Sequence, residues 1–439
     1  SKIAATLSSV GTPSFSLSAG DSSHGDLGSI SKKDILILIS NSGQTNELKN
    51  IIQYANRNKI ILIGIVSKKD SILYKASDIK LLLPIAKEAA GIVPTSSTTA
   101  QLAIGDALAI SLMKKRKFGK LDWEVSEIGL GCWQIGADWG NVSEDKAKEV
   151  LKSSFENGVN FFDTADVYGM GRSEKFVGEF IKSVSERIYV ATKAGRQINP
   201  HVAKGYYDKE LMESYVDQSL SNLNVETIDL LQMHCPPTEV YSSDKTFEML
   251  DYLVSKGKIQ NYGFSVQTVD EALECIKRPN TKSIQVIFNI FRQKPAEELF
   301  KIAKEKEIAI IVRVPLASGL LTGKFNKDSS FAPDDHRNYN INGDAFDVGE
   351  TFSGVNFTKA LQAVDDLKNI LPDGMTLSQL SLKWILMHDA VTVVIPGAKN
   401  KEHVNLNTSS SEIEDISSLM NQINSVYTKY FYDDVHHRW

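Results

Sequence analysis

Four side chains with acid–base chemistry follow three successive apolar segments of the sequence. Asp163 ends the first segment and Tyr168 follows it, while Lys193 and His234 end the next two segments. Apolar runs separated by helical patterns predict parallel strands that are covered on both faces. Because neighbouring parallel strands end at the same edge of a sheet, we expect the four side chains to lie close together.

This set of residues is suited to adding a proton to a carbonyl oxygen while a nicotinamide cofactor adds a hydride to the carbon. A free tyrosine has a pKa of about 10, which is too high for an effective acid at neutral pH. We expect the ammonium of Lys193 to lower the pKa of Tyr168, and Asp163 to hold that ammonium in place. His234 would donate a hydrogen bond to the carbonyl oxygen and orient it.

Each of these residues also has a purely structural interpretation. Asp163 would serve equally well as a helix cap, and His234 as a buried residue at the rim of a sheet. A single polar residue at a strand end is more often structural than catalytic. The occurrence of all four residues at consecutive strand ends favours the catalytic interpretation.

The segment from Ser126 onward contains eight candidate strands separated by helical patterns. They are residues 126–133, 160–165, 188–194, 228–234, 259–265, 284–290, 308–314 and 391–396. Eight β/α units over about 300 residues predict a closed parallel (β/α)8 barrel, a TIM barrel. The interval 316–355 is rich in Gly, Asp, Asn and Phe. We expect this long loop to lie over the mouth of the barrel and to be functional.

The first 115 residues carry a separate α/β pattern. Apolar runs at 35–39, 60–66 and 79–83 alternate with helical patterns at about 44–56 and 97–116, which predicts a parallel sheet between helices. The sequence therefore predicts two α/β domains, residues 1–115 and 117–439. No linker rich in Gly, Pro or Ser separates them, because the last helix is expected to run to Arg116 and directly into Phe118.

The composition excludes several classes of protein. With 439 residues, 42% hydrophobic and 23% charged, and a net charge of −5, the chain is typical of a soluble globular protein. It has neither the basic balance of a nucleic-acid-binding protein nor a run of about eighteen apolar residues that would span a membrane. Three scattered cysteines and the lack of a secretory signal indicate the cytoplasm, without disulfides or a metal site.

Residues 117–439 resemble the aldo-keto reductase family. The resemblance rests on residues 125–131, 168–174, 314–324 and 395–398, together with the four polar residues above. It implies an NAD(P)H-dependent carbonyl reductase or alcohol dehydrogenase on a (β/α)8 barrel, without a Gly-rich dinucleotide-binding loop. Asp163, Tyr168, Lys193 and His234 match the catalytic tetrad of that family.

The same resemblance suggests a cofactor site. Val266 replaces an Asn that usually helps to bind the nicotinamide carboxamide, and Arg313 stands where a stacking Tyr is common. Lys399 matches a partner for the 2′-phosphate, although His403 replaces an Arg that often completes that site. NADP(H) is therefore favoured over NAD(H). The expected cofactor-binding residues are Ser265, Gln285, Arg313, Leu316, Lys399 and Asn407.

Residues 1–115 resemble the sugar isomerase (SIS) domain, and arabinose 5-phosphate isomerases in particular, at residues 11–15, 24–28, 40–45, 86–89 and 94–109. The resemblance makes Glu47 and Glu88 acid–base candidates and His24 a metal-contacting candidate, and it implies that such domains associate into homo-oligomers. Hydroxyl-rich turns at the start of two helices predict a phosphosugar site. Its expected residues are Ser40, Ser42, Thr45, Ser97 and Thr98.

The resemblance leaves this isomerase site incomplete on both sides. The loop that carries a catalytic lysine should precede Ser1, and a His-containing segment should follow the last helix, where the second domain begins instead. Met113 would serve as the natural start of a reductase. We therefore hypothesise that the join near Met113 is a fusion or an assembly chimera, and that residues 1–112 are a remnant.

The leading expectation is reduction of a small aldehyde or ketone to an alcohol with NADP(H), with Tyr168 as the general acid. Two alternatives stay open: a bifunctional sugar-phosphate isomerase and reductase, and a sensor that binds nicotinamide nucleotide without turnover. The tail that ends in Trp439 is expected either to fray or to close over the substrate.

Overall fold

The computed structural model describes residues 1–9, 12–20, 26–91, 93–113, 115–136 and 142–439. The chain forms two compact units, Ser1–Lys114 and Lys115–Trp439. We refer to them as the first unit and the second unit, and describe each by itself. Among the described residues, no helix combines the length and the apolar character needed to cross a membrane.

The first unit is a three-stranded parallel sheet between two helical layers. Its elements are α1 (Lys2–Ser9), β1 (Ile35–Ile39), α2 (Leu48–Asn58), β2 (Ile61–Val66), α3 (Ile72–Ala76), β3 (Ile79–Leu82) and α4 (Ser96–Met113), with strand order β1-β2-β3. One face of the sheet packs Leu38 and Leu62 against Ile51 of α2. Ile37 and Ile39 of β1 pack against the cluster formed by α1 and α4. This α/β/α arrangement confirms the predicted parallel sheet, because alternate side chains of a strand point to opposite faces.

The prediction of a helix running to Arg116 is wrong. Helix α4 ends at Met113, and β4 (Lys115–Lys117) pairs antiparallel with β5 (Glu124–Ser126). In this hairpin Phe118 stacks on Phe161 with ring centroids 5.4 Å apart, and Trp123 stacks on Tyr189 at 4.6 Å. The hairpin therefore fills the amino-terminal end of the barrel of the second unit with aromatic side chains.

The second unit confirms the predicted (β/α)8 barrel. Its strands are β6 (Leu130–Gly131), β7 (Phe161–Asp163), β8 (Tyr189–Ala194), β9 (Ile228–His234), β10 (Ile259–Ser265), β11 (Thr281–Ile287), β12 (Ala309–Arg313) and β13 (Val391–Val394). They form one parallel sheet in sequence order. The bridges Ile128–Val394 and Gly131–Gly397 join the first and last strands and close the sheet on itself. Closure removes the exposed edges that an open sheet would present.

Helices cover the outside of the barrel and lie between its strands. They are α5 (Trp133–Gly136), α6 (Glu144–Glu156), α7 (Arg172–Ser183), α8 (Ala203–Tyr207), α9 (Lys209–Leu223), α10 (Asp244–Ser255), α11 (Val269–Ile276), α12 (Leu299–Glu305), α13 (His336–Tyr339), α14 (Phe357–Asn369), α15 (Leu377–Leu386), α16 (Lys401–Thr408), α17 (Ser417–Tyr430) and α18 (Tyr432–Val435). Thr268 with Glu271 and Thr376 with Gln379 form capping boxes that fix the starts of α11 and α15.

Two predicted strands differ most in their limits from the observed ones, whereas the others agree to within two residues at each end. Residues 126–133 divide between the hairpin strand β5 and the short barrel strand β6. The sixth barrel strand begins at Thr281, three residues before the predicted start at Ile284. Thr281 is polar but fully buried, and its hydroxyl donates to the carbonyl oxygen of Cys275 at 2.9 Å. A polar residue with a satisfied hydroxyl can thus belong to a buried strand.

Arg116 links the hairpin to the end of α15. Its Nη2 donates to the carbonyl oxygen of Leu386 at 2.8 Å, its Nη1 donates to those of His388 and Val391, and its Nε lies 2.7 Å from a carboxylate oxygen of Glu127. Helix ends leave carbonyl groups without partners inside the helix, and cations there are favourable. Arg116 therefore stabilises the base of the second unit.

We predict that Arg116→Ala lowers the free energy of unfolding of the second unit by about 2–3 kcal/mol, because it removes charge-assisted hydrogen bonds and leaves carbonyl oxygens without partners. All five tryptophans of the chain lie in the second unit, so urea unfolding followed by tryptophan fluorescence reports on it. Lys117→Ala, on an exposed residue of the same strand, is the control and should change stability by less than about 0.5 kcal/mol. Equal urea midpoints for the two variants would contradict this role.

Candidate active site at the carboxyl ends of the barrel strands

The barrel brings the four predicted catalytic residues together. Lys193 of β8 is fully buried, and its ammonium lies 2.5 Å from Oδ1 of Asp163, at the end of β7. The same ammonium lies 3.3 Å from the hydroxyl of Tyr168 and donates to the carbonyl oxygen of Thr164 at 2.7 Å. The ring of His234, at the end of β9, stands edge-on to Tyr168 with centroids 6.0 Å apart. Adjacent parallel strands end side by side, which produces this cluster.

Two glutamines hold the second oxygen of the Asp163 carboxylate. Gln232 donates to Oδ2 at 3.0 Å and Gln285 donates to it at 2.7 Å. Both amides are buried, and Gln285 also donates to the oxygen of Gln232 at 3.2 Å. Gln285 was expected to bind the cofactor, but its amide nitrogen donates to Asp163 and helps to orient that carboxylate. Gln232 was not expected; its only sequence signal is its position two residues before His234, on the same strand face.

The predicted lowering of the Tyr168 pKa is wrong as a net effect. Burial raises the pKa of Tyr168 above its ordinary value, and the opposing effect of the Lys193 ammonium is smaller. Burial lowers the pKa of Lys193, but Asp163 and Tyr168 outweigh it and leave that pKa raised. At neutral pH the cluster therefore combines a protonated Lys193 ammonium with a protonated Tyr168 phenol.

His234 is a neutral imidazole at neutral pH. Burial, together with the positive charges of Arg196 and Lys193, holds the pKa of His234 well below its ordinary value. The side chain is 4% exposed, and its Nδ1 has no hydrogen-bond partner among the described residues. A neutral imidazole has one N–H to donate, which is the form needed to donate to a carbonyl oxygen.

A cavity of about 300 Å³ adjoins this cluster. Its lining includes Tyr168, Asp163 and His234, and also a group of cationic or basic side chains, namely Lys324, Arg337, Lys399 and His403. A cluster of this kind is suited to phosphate groups. Of the expected cofactor residues, Gln285, Arg313, Leu316, Lys399 and Asn407 line this cavity. We call it the cofactor cleft.

Ser265 is the expected cofactor residue that the structure places apart from the cleft lining. It is 1% exposed, and its hydroxyl lies 3.5 Å from the amide oxygen of Gln285 and from the sulfur of Cys235. Arg313 does line the cleft, and its Nη2 donates to the carbonyl oxygen of Val266 at 3.1 Å. The Nε of Arg313 is buried without a hydrogen-bond partner among the described residues, so the guanidinium retains capacity for a ligand.

A second cavity of about 460 Å³ shares Tyr168 and His234 with the lining of the cofactor cleft. Trp133 and Phe346 form aromatic walls, and the polar lining consists of Arg196, His201, Gln267, Asp347 and Glu350. We call it the substrate pocket. Its polar residues were not expected from the sequence. Arg196 had a signal, because it follows Lys193 by three residues, whereas Glu350 lies in the long interval 316–355 without any pattern.

The interval 316–355 was expected to lie over the mouth of the barrel, and its residues do reach the two cavities there. It contains α13 and short 3-10 turns at Ala317–Thr322, Val348–Glu350 and Phe352–Gly354. It supplies residues to both cavities, among them Arg337 and Glu350. The tail does not fray: Trp439 is 5% exposed, and its indole nitrogen donates to Oδ1 of Asp347 at 3.1 Å.

The hydroxyl-rich turns of the first unit are satisfied internally. The hydroxyls of Ser40 and Thr45 lie 2.9 Å apart, and the backbone N–H of Gly43 donates to Ser40 Oγ at 3.0 Å. Ser42 and Glu47 are exposed. Thr98, at the start of α4, donates to the carbonyl oxygen of Thr95 at 2.7 Å. These contacts are those of ordinary turns and helix starts.

The carboxylate of Glu88 caps helix α4. It accepts from the backbone N–H of Thr95 at 2.6 Å and of Ser97 at 3.3 Å. Hydrogen bonds from the Ser97 side chain and from the backbone N–H of Thr95 contribute most to lowering the pKa of Glu88 to about 2. Glu88 is therefore ionised and engaged at a helix start, which accounts for its position without an acid–base role. His24, the metal-contacting candidate, lies outside the described residues.

The comparisons with known proteins identify the family of the second unit. The aldo-keto reductase family model matches residues 127–428, so the chain belongs to the aldo-keto reductase family of NAD(P)H-dependent oxidoreductases. It is 33% identical over 297 residues to the uncharacterised oxidoreductase YqkF of Bacillus subtilis, covering 67% of this chain and 90% of that protein. The holo form of aldo-keto reductase AKR11C1 from Bacillus halodurans superposes with a TM-score of 0.58 at 27% identity, over 74% of this chain and 99% of that one.

The first unit is matched by the SIS domain model over residues 1–111. The arabinose 5-phosphate isomerase KdsD of Yersinia pestis is 48% identical over 130 residues, which are 29% of this chain and 40% of that protein. The chain thus spans less than half the length of this isomerase. Both resemblances seen in the sequence are confirmed.

The buried Lys193–Asp163 pair generates a prediction about stability. Asp163→Asn should lower the free energy of unfolding of the second unit by about 3–5 kcal/mol, because it leaves a buried ammonium without its counter-charge. Lys193→Met should cost a similar amount by leaving the carboxylate unpaired. The double variant should lose clearly less than the sum of the single losses. The measurement is urea unfolding followed by tryptophan fluorescence, and strictly additive losses would contradict the coupling.

Proposed function

We propose that the protein reduces a small aldehyde or ketone to an alcohol with NADP(H), and that Tyr168 is the general acid. The observation that carries the proposal is the position of the Tyr168 hydroxyl, 3.3 Å from the buried ammonium of Lys193. Tyr168 and His234 both line the cofactor cleft and the substrate pocket. A carbonyl group held between the two cavities would therefore contact the phenol and the imidazole together.

The side chains divide the work in the following way. The Tyr168 hydroxyl gives its proton to the carbonyl oxygen, and Lys193 stabilises the phenolate that is left. Asp163, held by Gln232 and Gln285, keeps the ammonium oriented. The neutral His234 donates an N–H to the same carbonyl oxygen and fixes its direction. A bound reduced nicotinamide supplies the hydride to the carbonyl carbon.

The preference for NADP(H) rests on the basic side chains that line the cofactor cleft. Lys399 is half-buried and lines the cleft together with Lys324, Arg337 and His403. Burial and the charge of Arg337 lower the pKa of Lys399, and a phosphate group placed between such cations would relieve their repulsion. A relative from Schizosaccharomyces pombe, aldo-keto reductase yakc [NADP(+)], is 28% identical over 298 residues. We assign Lys399 as the residue that binds the 2′-phosphate.

A sensor without turnover is the second candidate. A probable voltage-gated potassium channel subunit beta of Arabidopsis thaliana is 30% identical over 320 residues, which are 69% of this chain and 92% of that protein. The complete Lys193–Asp163–Tyr168 cluster favours turnover instead. We propose no isomerase activity for the first unit, because the Glu88 carboxylate is engaged by the start of α4.

We predict that Tyr168→Phe lowers kcat for carbonyl reduction by about 100-fold or more, since it removes the proton donor and leaves the cavities intact. The assay follows NADPH oxidation with a panel of small aldehydes and ketones, and NADH is run in parallel. NADPH binding, measured by quenching of tryptophan fluorescence, is expected to be unchanged in the variant. Undiminished turnover in Tyr168→Phe would refute the mechanism, and tight NADPH binding without any turnover by the native protein would favour the sensor.

The perturbed pKa values of Tyr168 and His234 predict that kcat/KM for reduction changes little with pH around neutrality. A general acid works below its pKa, and burial raises the pKa of Tyr168, so activity is lost only as pH rises beyond about 10. His234 works as a neutral donor above its pKa, which burial and Arg196 lower, so no acidic limb is expected down to about pH 6. The measurement is kcat/KM for reduction across this range. A half-maximal point near pH 7 would contradict these assignments.

A further inference from the structure

The backbone after β8 directs Arg196 into the substrate pocket. Gly195 has a φ of +114°, and a Cβ at this position would lie 2.3 Å from the ring of Tyr206. Only glycine tolerates both the conformation and the close approach. The hydroxyl of Tyr206 is in turn 2.7 Å from Nε2 of His201. The turn that follows Lys193 is therefore tightly determined, and it delivers Arg196 to the pocket wall.

Glu350 fixes the guanidinium of Arg196. The two side chains form an ion pair, with Arg196 Nη1 and Glu350 Oε2 3.5 Å apart and a closer contact between Nη2 and Oε1. Glu350 Oε2 also lies 3.6 Å from Nη1 of Arg313. The Arg196 side chain is 19% exposed, whereas that of Glu350 is 6% exposed. The cation is thus the member of the pair that remains open to the pocket.

The second acidic residue of the pocket is also engaged. Asp347 accepts from the Trp439 indole at 3.1 Å and from the backbone N–H of Gly349 at 2.7 Å. The Trp439 ring lies 4.2 Å from the guanidinium of Arg292. Gly349 and Gly354 leave room for that ring, since a Cβ on either would lie within 3.0 Å of it. The tail thereby clamps the segment that carries Glu350.

The charges around the pocket leave a positive excess. In the pocket lining itself, Arg196 stands with Asp347 and Glu350. Arg313 and Arg292 lie outside the lining but interact with these two carboxylates, so the set has three cations and two anions, and the Lys193–Asp163 pair is balanced. The positive charges of this set lower the pKa values of two basic groups, Arg292 and His201. Burial and Arg313 lower the pKa of Arg292 to about 9, and burial and Arg196 lower the pKa of His201. An anion entering the pocket would meet an attractive field with little competing negative charge.

We propose that Arg196 selects the substrate, and that the substrate is a carbonyl compound with a carboxylate a few bonds from the carbonyl group. The inference rests on the proposed reductase function and adds the substrate class to it. With the carbonyl oxygen at Tyr168 and His234, the carboxylate lies along the Trp133 and Phe346 walls toward Arg196. A guanidinium has five N–H donors in a planar fork, so Arg196 binds a second carboxylate while Glu350 holds its other edge. Glu350 is a positioning residue in this arrangement.

Turnover tests the selection directly. The probes are 4-oxobutanoate and its neutral methyl ester, reduced by the full-length protein with NADPH. The native protein should show a KM for the anion at least about tenfold lower than for the ester. Arg196→Gln should raise the KM for the anion by about 10–100-fold and leave that for the ester nearly unchanged. Arg196→Lys should restore part of the preference. Lys204→Gln, which removes an exposed positive charge nearby on α8, is the matched control and should change neither value.

Binding without turnover provides an independent measurement. Titration calorimetry with butyrate and with butyramide, on the protein saturated with NADP⁺, should show binding of the anion and its loss in Arg196→Gln. The double variant Arg196→Gln/Glu350→Gln removes both charges of the pair while keeping similar side-chain volumes. It should lose butyrate binding as the single variant does, which separates loss of the guanidinium from an unpaired Glu350.

The outcomes distinguish this inference from the reductase function itself. Reduction of both probes with equal KM, or an equal loss for both in Arg196→Gln, overturns the selection by Arg196 and leaves the reductase intact. Binding of butyrate through Arg196 without reduction of either probe supports the anion site and counts against the reductase. Absence of butyrate binding in the native protein overturns the inference whatever the turnover.

Discussion

The ammonium of Lys193 is the charge on which the active site depends. It is fully buried in the barrel, and a buried charge is tolerated only when it is paired and hydrogen-bonded. Asp163 provides the pairing, Gln232 and Gln285 hold Asp163, and Thr164 and Tyr168 take up the remaining donors. The same contacts that stabilise the buried charge of Lys193 also place the phenol of Tyr168 next to that charge. Stability and acid chemistry therefore arise from one cluster.

The parallel barrel is what makes this cluster possible. Residues that are distant in sequence end adjacent strands, and the aromatic hairpin at the opposite end leaves the carboxyl end free for cavities. The two cavities that share Tyr168 have different linings: one includes a group of basic side chains, and the other has aromatic walls with an arginine–glutamate pair. A cofactor and a substrate can thus occupy different cavities next to the same phenol.

The long loop and the tail act together as a support for the substrate pocket. Glu350 comes from a segment of short 3-10 turns, whose backbone hydrogen bonds join residues only three apart, so further restraint has to come from outside the segment. Packing of Trp439 against Gly349 and Gly354, and its hydrogen bond to Asp347, supply that restraint. In the first unit, by contrast, the polar groups of the hydroxyl-rich turns and of Glu88 are used in hydrogen bonds within that unit. Similarity to the SIS domain does not by itself provide a free acid–base group there, because the Glu88 carboxylate is engaged by the start of α4.

Periodicity and strand ends were sufficient to predict the barrel, the parallel sheet of the first unit and the grouping of Asp163, Tyr168, Lys193 and His234. These features depend on short-range patterns, because apolar alternation sets which residues are buried and where each strand stops. Only the tertiary structure decided that Arg116 belongs to a hairpin and not to a helix. It also decided that burial raises the pKa of Tyr168 more than Lys193 lowers it. It also decided that Glu350 meets Arg196, 154 residues away. The sequence does not predict such a pairing, because one partner lies in a loop without periodicity. It does not predict the pKa shift either, because the burial of a group is set only when the chain is packed.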